Sequence, residues 1–388
     1  MKNIDKIGFF KENKEAKRRV LRALEETISS VLHQYDDVVS IILFGSLARK
    51  EGVWKREEGR LSIISDLDLL VITRKKRKLS KGLRRIVESI KEREGFEIDI
   101  RFICRDKLKG LIKDTHTFDE KEGVTLWGKN VIPEFPKFNK DDIGLKDVIF
   151  LFFNRVLLTV LNFPIFNVEE IDAKKWLSHE ASKTLFTCAD IINICGGRYY
   201  PSVFKRVKFA KEACKELKLP DEKIFLRDLE KAVNFRFKET HKPFMSNPFN
   251  YWLRSKEHLL RTFHFFCVNR SKGKTTDEET FRARLFFLYH QTYRVRFKNL
   301  LHHLFKLLML GKLPRPPKNI SQYPVSCRMA SLMLYMALAK EIHQKYLREA
   351  ERYLSMVRFP RELQEADTRV KWALLRDELK KLHEAAIF

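Results

Sequence analysis

Apolar residues recur at three- and four-residue intervals through residues 12 to 35, at Val20, Leu21, Leu24, Ile28, Val31 and Leu32. Charged residues fill the intervening positions, so this spacing predicts an amphipathic opening helix. VVSIILF (38–44) and LDLLVIT (67–73) are short continuous apolar runs, the pattern of buried strands, with Gly45-Ser46 and a long polar loop between them. The basic run RKKRK (74–78) precedes a helical stretch reaching Glu94, where Gly95 punctuates the chain. FEIDIRFI (96–103) then alternates as a strand does, and VTLWG (124–128) reads as one more short strand.

The pattern changes after residue 130. Pro133 and Pro136 mark IPEFPKF (132–138) as a linker. Beyond it, helical periodicity recurs around 143–163, 172–195, 202–218, 248–268, 279–310, 326–357 and 367–385. No fixed-period self-similarity relates these segments, which argues against a solenoid. The expected fold class is α+β, with a mixed-sheet domain over residues 1–135 followed by an all-α helical bundle over 140–388. A break near 270–278 would divide that bundle into two subdomains.

Composition narrows the range of partners. Across 388 residues, 77 Lys and Arg face 51 Asp and Glu, a formal charge of +26. Such an excess favours an anionic partner: nucleic acid, nucleotide or an acidic membrane surface. Both halves of the chain are basic, so a single basic arm is not its source, and a charged surface of the heat-stable kind is the competing explanation. The most apolar stretch, 148–166, contains Asn154, Arg155 and Asn162, and reads as a buried helix rather than a membrane span. The N-terminus lacks a secretory pattern, and six scattered cysteines form no C-x-x-C pair. A cytoplasmic protein with reduced core thiols and no membrane partner is therefore expected.

Candidate chemistry lies in the strand region. Side chains alternate along a strand, so Asp66 and Asp68 project from one face and Leu67 and Leu69 from the other. The same period groups Glu97, Asp99 and Arg101. If the two strands are neighbours, three acids converge, and convergent carboxylates raise each other's pKa unless a cation compensates. Hard oxygen ligands suit Mg²⁺, and paired ions serve in-line phosphoryl displacement. A glycine at 45 lets backbone approach a phosphate closely, the Ser46 hydroxyl can donate to it, and a helix start after the turn favours negative charge.

These parts in this order, FGS (44–46), SDLDLLV (65–71) and EIDI (97–100), resemble the DNA polymerase β-like nucleotidyltransferase superfamily. The resemblance covers about a third of the chain. It implies that Gly45 and Ser46 hold a triphosphate and that Asp66 and Asp68 bind two Mg²⁺ ions, with Mn²⁺ an alternative. Asp99 would be the third ligand and the base for an acceptor hydroxyl, and Arg49 would steady the phosphates or the turn. ATP is the donor by analogy. Gly45 and Asp66 are further apart than in minimal members of the superfamily, and the additional VWKREEGRL is either a short hairpin or an acceptor-facing loop.

The acceptor stays open among an RNA 3′ end, a protein hydroxyl and a small molecule. Residues 179–209 are similar to helical companions of standalone nucleotidyltransferases, in which Lys183, Tyr199, Tyr200 and Arg206 would face the nucleotide. Packing at a helix end is the alternative role for the two tyrosines. Arg296 and His302 loosely resemble the Arg-to-His spacing of HEPN ribonuclease toxins, which makes a toxin-antitoxin component one alternative. A non-catalytic nucleic-acid-binding protein on the same scaffold is another.

Overall fold

The computed structural model describes residues 13–57, 59–139, 142–217, 219, 221–238, 246–270, 323–354 and 367–386. The chain is mixed α+β, with a small mixed sheet near its start followed by helices.

Helix α1 (Lys14–Gln34) begins where the Asn13 side chain accepts from Ala16 N at 2.9 Å, satisfying one of the amides a helix start leaves open. Strand β1 (Val38–Phe44) runs into a one-turn helix, α2 (Gly45–Ala48). A hairpin follows, β2 (Trp54–Glu57) and β3 (Arg60–Ile63), with the turn at Gly59, whose φ of 79° glycine adopts without strain. Of the two expectations for the VWKREEGRL segment, the short hairpin is the one found. Strand β4 (Leu67–Thr73), helix α3 (Lys81–Glu94) and strand β5 (Ile98–Cys104) come next, then a 3-10 turn at Arg105–Gly110. Helix α4 (Thr115–Lys121) and strand β6 (Val124–Gly128) complete the region.

The sheet order is β5-β4-β1-β6, with β4 parallel to β5 and β1 antiparallel to both its neighbours. One face carries Ile41, Leu43, Leu67, Leu69, Ile98 and Ile100 against the apolar stripes of α1 and α3. The opposite face carries Ile42, Leu70, Ile72 and Ile103, in a smaller core closed by Leu108, Val131 and Phe135. Glu94 ties α1 to α3: its buried carboxylate accepts from Arg22 Nε and Nη2, both at 2.8 Å, and from Arg93 Nε at 3.1 Å.

The helical remainder comprises α5 (Leu145–Asn162), α6 (Ile171–Cys195), α7 (Val203–Leu217), α8 (Glu222–Val233) and α9 (Pro248–Arg270). After these come α10 (Tyr323–Ala337), α11 (Gln344–Leu354) and α12 (Thr368–Ala386). The expected segment at 279–310 and the break near 270–278 fall outside the described residues. The expected helix 326–357 is two helices, because the Lys256 ammonium donates to the carbonyls of Met336, at 3.1 Å, and Leu338, and so caps the end of α10. Burial pushes this lysine down to about 7.

Two units result. One holds the described residues of Met1–Gly144 and Ile192–Pro243, the other those of Leu145–Ile191 and Phe244–Phe388. Residues 192–243, expected with the helical segment, thus belong with the sheet, because Glu51 and Lys55 of the sheet region bind them directly. Ser202 Oγ donates to Glu51 at 2.6 Å, and Lys55 Nζ lies 3.8 Å from the Phe235 ring centroid.

The second unit has an aromatic core. The Phe152 and Phe263 rings stack at 3.8 Å, and Phe163 packs on Trp176, Trp252 and Trp372. Arg155 and Glu180 form a largely buried ion pair there at 3.1 Å, and Thr159 Oγ1 donates to the Glu180 carboxylate at 2.5 Å. Among the described residues no disulfide occurs, and no helix is long and apolar enough to cross a membrane.

Candidate functional site

Strand register brings the predicted acids together. Because β4 and β5 are parallel neighbours, Asp68 stands opposite Asp99, about 4.8 Å away across the sheet. On the other side of β4, Asp68 pairs with Phe44, the residue before Gly45. Asp66 lies just ahead of β4 and is exposed, as is Asp99, whereas Asp68 is half-buried.

Gly45 is fitted to Asp68. Its φ is 74°, a left-handed conformation that costs a side-chain-bearing residue about 1–2 kcal/mol. A Cβ there would also collide with the Asp68 carboxylate. The β1–α2 turn and the head of β4 therefore meet with no atom to spare. Ser46 opens the turn beside them, its carbonyl accepting from Glu51 N at 2.9 Å.

The negative charge is only partly balanced. Burial pushes the Asp68 carboxyl up to about 7, and the charges of Asp66 and Asp99 push in the same direction, opposed by Arg49 and His116. Arg49 is itself largely buried and pairs with Glu51 at 3.3 Å and with Asp119. Burial lowers its pKa, Glu51 opposes that, and the Arg206 cation adds to it.

Helix α4, absent from the sequence expectations, supplies three further polar groups. Asp119 binds Arg49. His116 packs edge-on against Phe44 with ring centroids 5.9 Å apart, and lies 3.3 Å from the fully buried Glu120. Glu120 also accepts from Arg101 at 2.5 Å, so α4 is clamped onto β5. The one signal for this helix is Asp114, an N-cap whose side chain accepts from Thr117 N at 2.8 Å.

Glu51 was missed as well. It accepts from Ser202 Oγ and from Val203 N, at 3.2 Å, and so caps α7 while binding Arg49. Beside α4, Phe118 stacks on Phe138 at 4.9 Å and meets the rings of Tyr199 and Tyr200. Tyr200 donates to Glu122 at 2.7 Å beneath the Lys205 ammonium. The two tyrosines thus have packing roles next to the Arg49 cluster. Lys183 belongs to α6 in the second unit, and Arg296 and His302 lie outside the described residues.

The donor set of Asp66, Asp68 and Asp99 fits a divalent cation in chemistry: hard carboxylate oxygens, with Asp68 and Asp99 paired on adjacent strands and Asp66 just ahead of β4. Among the described residues, no three His, Cys, Asp or Glu side chains converge as a preformed metal cluster. No family model matches this chain, and no curated protein matches its sequence.

Proposed function

We propose that this protein is a metal-dependent nucleotidyltransferase that moves NMP from an NTP to a hydroxyl acceptor. The observation that carries the reading is the Asp68–Asp99 pairing on parallel strands, with Asp68 seated against the bare Cα of Gly45. The Gly45-Ser46 turn is thereby held against paired carboxylates, a combination that suits phosphoryl transfer.

In this reading Asp66, Asp68 and Asp99 would hold Mg²⁺, which when bound would neutralise charge on the phosphates. Gly45 and Ser46 bind the triphosphate through the backbone of the turn and the Ser46 hydroxyl, Gly45 being the residue that lets this turn lie against Asp68. Arg49, held by Glu51 and Asp119, keeps the turn in place and its positive charge near the phosphates. Asp99, at the exposed side of the pair, takes the proton of the acceptor hydroxyl as the oxygen attacks the α-phosphorus.

Nucleotide binding tests this arrangement before any acceptor is known. Titration calorimetry with each NTP and Mg²⁺ should show binding by the full chain and a loss of tenfold or more in Asp66→Ala/Asp68→Ala. Equal affinity in the two proteins, with melting curves showing both folded, would leave the acids without the assigned role.

A further inference from the structure

The parallel pairing that puts Asp66, Asp68 and Asp99 at the heads of β4 and β5 puts the tails of the same strands together at the other end of the sheet, Thr73 opposite Cys104. Each tail runs directly into a basic loop. Arg74, Lys75, Lys76 and Lys78 follow β4, and Lys107 and Lys109 follow β5; all six are exposed. Seven residues of strand at about 3.3 Å each separate the two ends by roughly 23 Å.

Three of the four acids near these loops are already engaged, and the fourth, Asp106, is exposed and offsets one of the charges. Asp37 accepts from Lys75 N and Arg77 Nε, both at 3.0 Å, and Asp36 lies 3.4 Å from Arg77. Glu134 takes a two-pronged pair from Arg105, at 2.6 and 2.9 Å, and lies 3.7 Å from Lys129. None of the six exposed cations forms an ion pair among the described residues. Six like charges held on two adjacent loops repel one another, and an anionic partner relieves that repulsion.

We infer that this end of the sheet binds single-stranded nucleic acid through its phosphates. Two loops on neighbouring strands form a track of charge, which suits a chain of regularly spaced phosphates better than one compact anion. A bilayer suits it less, because among the described residues Ile112 is the single large apolar side chain exposed beside these loops, too little to anchor the chain in a membrane. The role of the bound strand rests on the proposed nucleotidyl transfer: anchored here, an RNA has its 3′ end within a few nucleotides of the acid cluster. The binding itself does not rest on that reading.

Fluorescence anisotropy of a labelled 20-nucleotide RNA tests it, with full-length wild type, Lys76→Glu/Lys107→Glu/Lys109→Glu and Asp66→Ala/Asp68→Ala compared between 50 and 200 mM salt. Wild-type affinity should fall steeply with salt, and the triple charge reversal should weaken binding about tenfold or more and flatten the slope by roughly 2. The Asp66→Ala/Asp68→Ala protein should bind RNA as wild type does, so failure of the catalytic reading and failure of this one remain separate. Unchanged RNA binding in the charge-reversed protein, at an unchanged melting temperature, overturns the inference. So does wild type that ignores RNA, or that binds phosphatidylserine vesicles more tightly than RNA.

Discussion

Asp68 concentrates the electrostatics of the site in one residue. Its carboxyl is pushed up to about 7 by burial and by Asp66 and Asp99, so between its unfolded value near 4 and about 7 the folded state holds a proton that the unfolded state has released. Stability therefore falls as pH rises through that window, and the full penalty is present above it. Asp68→Asn removes the ionisable group. The variant should melt above wild type at pH 8, with the difference closing as pH falls towards 4, and Mg²⁺ should raise the wild-type melting temperature at pH 8 more than the variant's. A constant difference across this range would mean that Asp68 ionises as an ordinary exposed carboxylate.

At the scale of elements, the site is held by short connections rather than by long helices. Glu51, between α2 and the hairpin, caps α7 and binds Arg49, so one carboxylate ties the β1–α2 turn to residues 202–203. Glu51→Ala removes a buried acceptor from three donors and should cost about 1–3 kcal/mol in chemical denaturation. The conservative Glu51→Gln should restore part of that, since an amide oxygen still accepts from Ser202. No loss in either variant would show α7 to be positioned by other contacts.

The same scale explains what the sequence disclosed. Strands β1 and β4 were legible because each is a dense apolar run preceded by Asp, and β5 because apolar and charged residues alternate along it. The alternation correctly put Asp68 on the face opposite Leu67 and Leu69. The closeness of Asp68 and Asp99 depended on strand order, which periodicity does not carry. Helix α4 was illegible because it spans seven residues with Thr115, Thr117 and Glu120 as its buried positions, so it has no apolar stripe. Helix α8 does carry Phe225, Leu229 and Ala232 at helical spacing, but over only about three turns. The split between α10 and α11 depends on Lys256, a residue far away in the chain.

At the scale of the whole molecule, charge in the sheet-bearing unit is polarised along the strands: acids stand at the heads of β4 and β5, and unpaired cations at their tails. On the proposed reading, that polarity favours a long anionic acceptor over a small neutral one. Transfer itself is the decisive readout. The full-length chain would be incubated with each α-³²P-labelled NTP and Mg²⁺, with and without total RNA, and label followed on RNA, on protein and on small molecules. Label should move from one or more NTPs onto an acceptor, RNA foremost, and fall to background in Asp66→Ala/Asp68→Ala. Label transfer that persists in that double variant, or its absence from every acceptor while RNA binding is intact, would contradict the assignment.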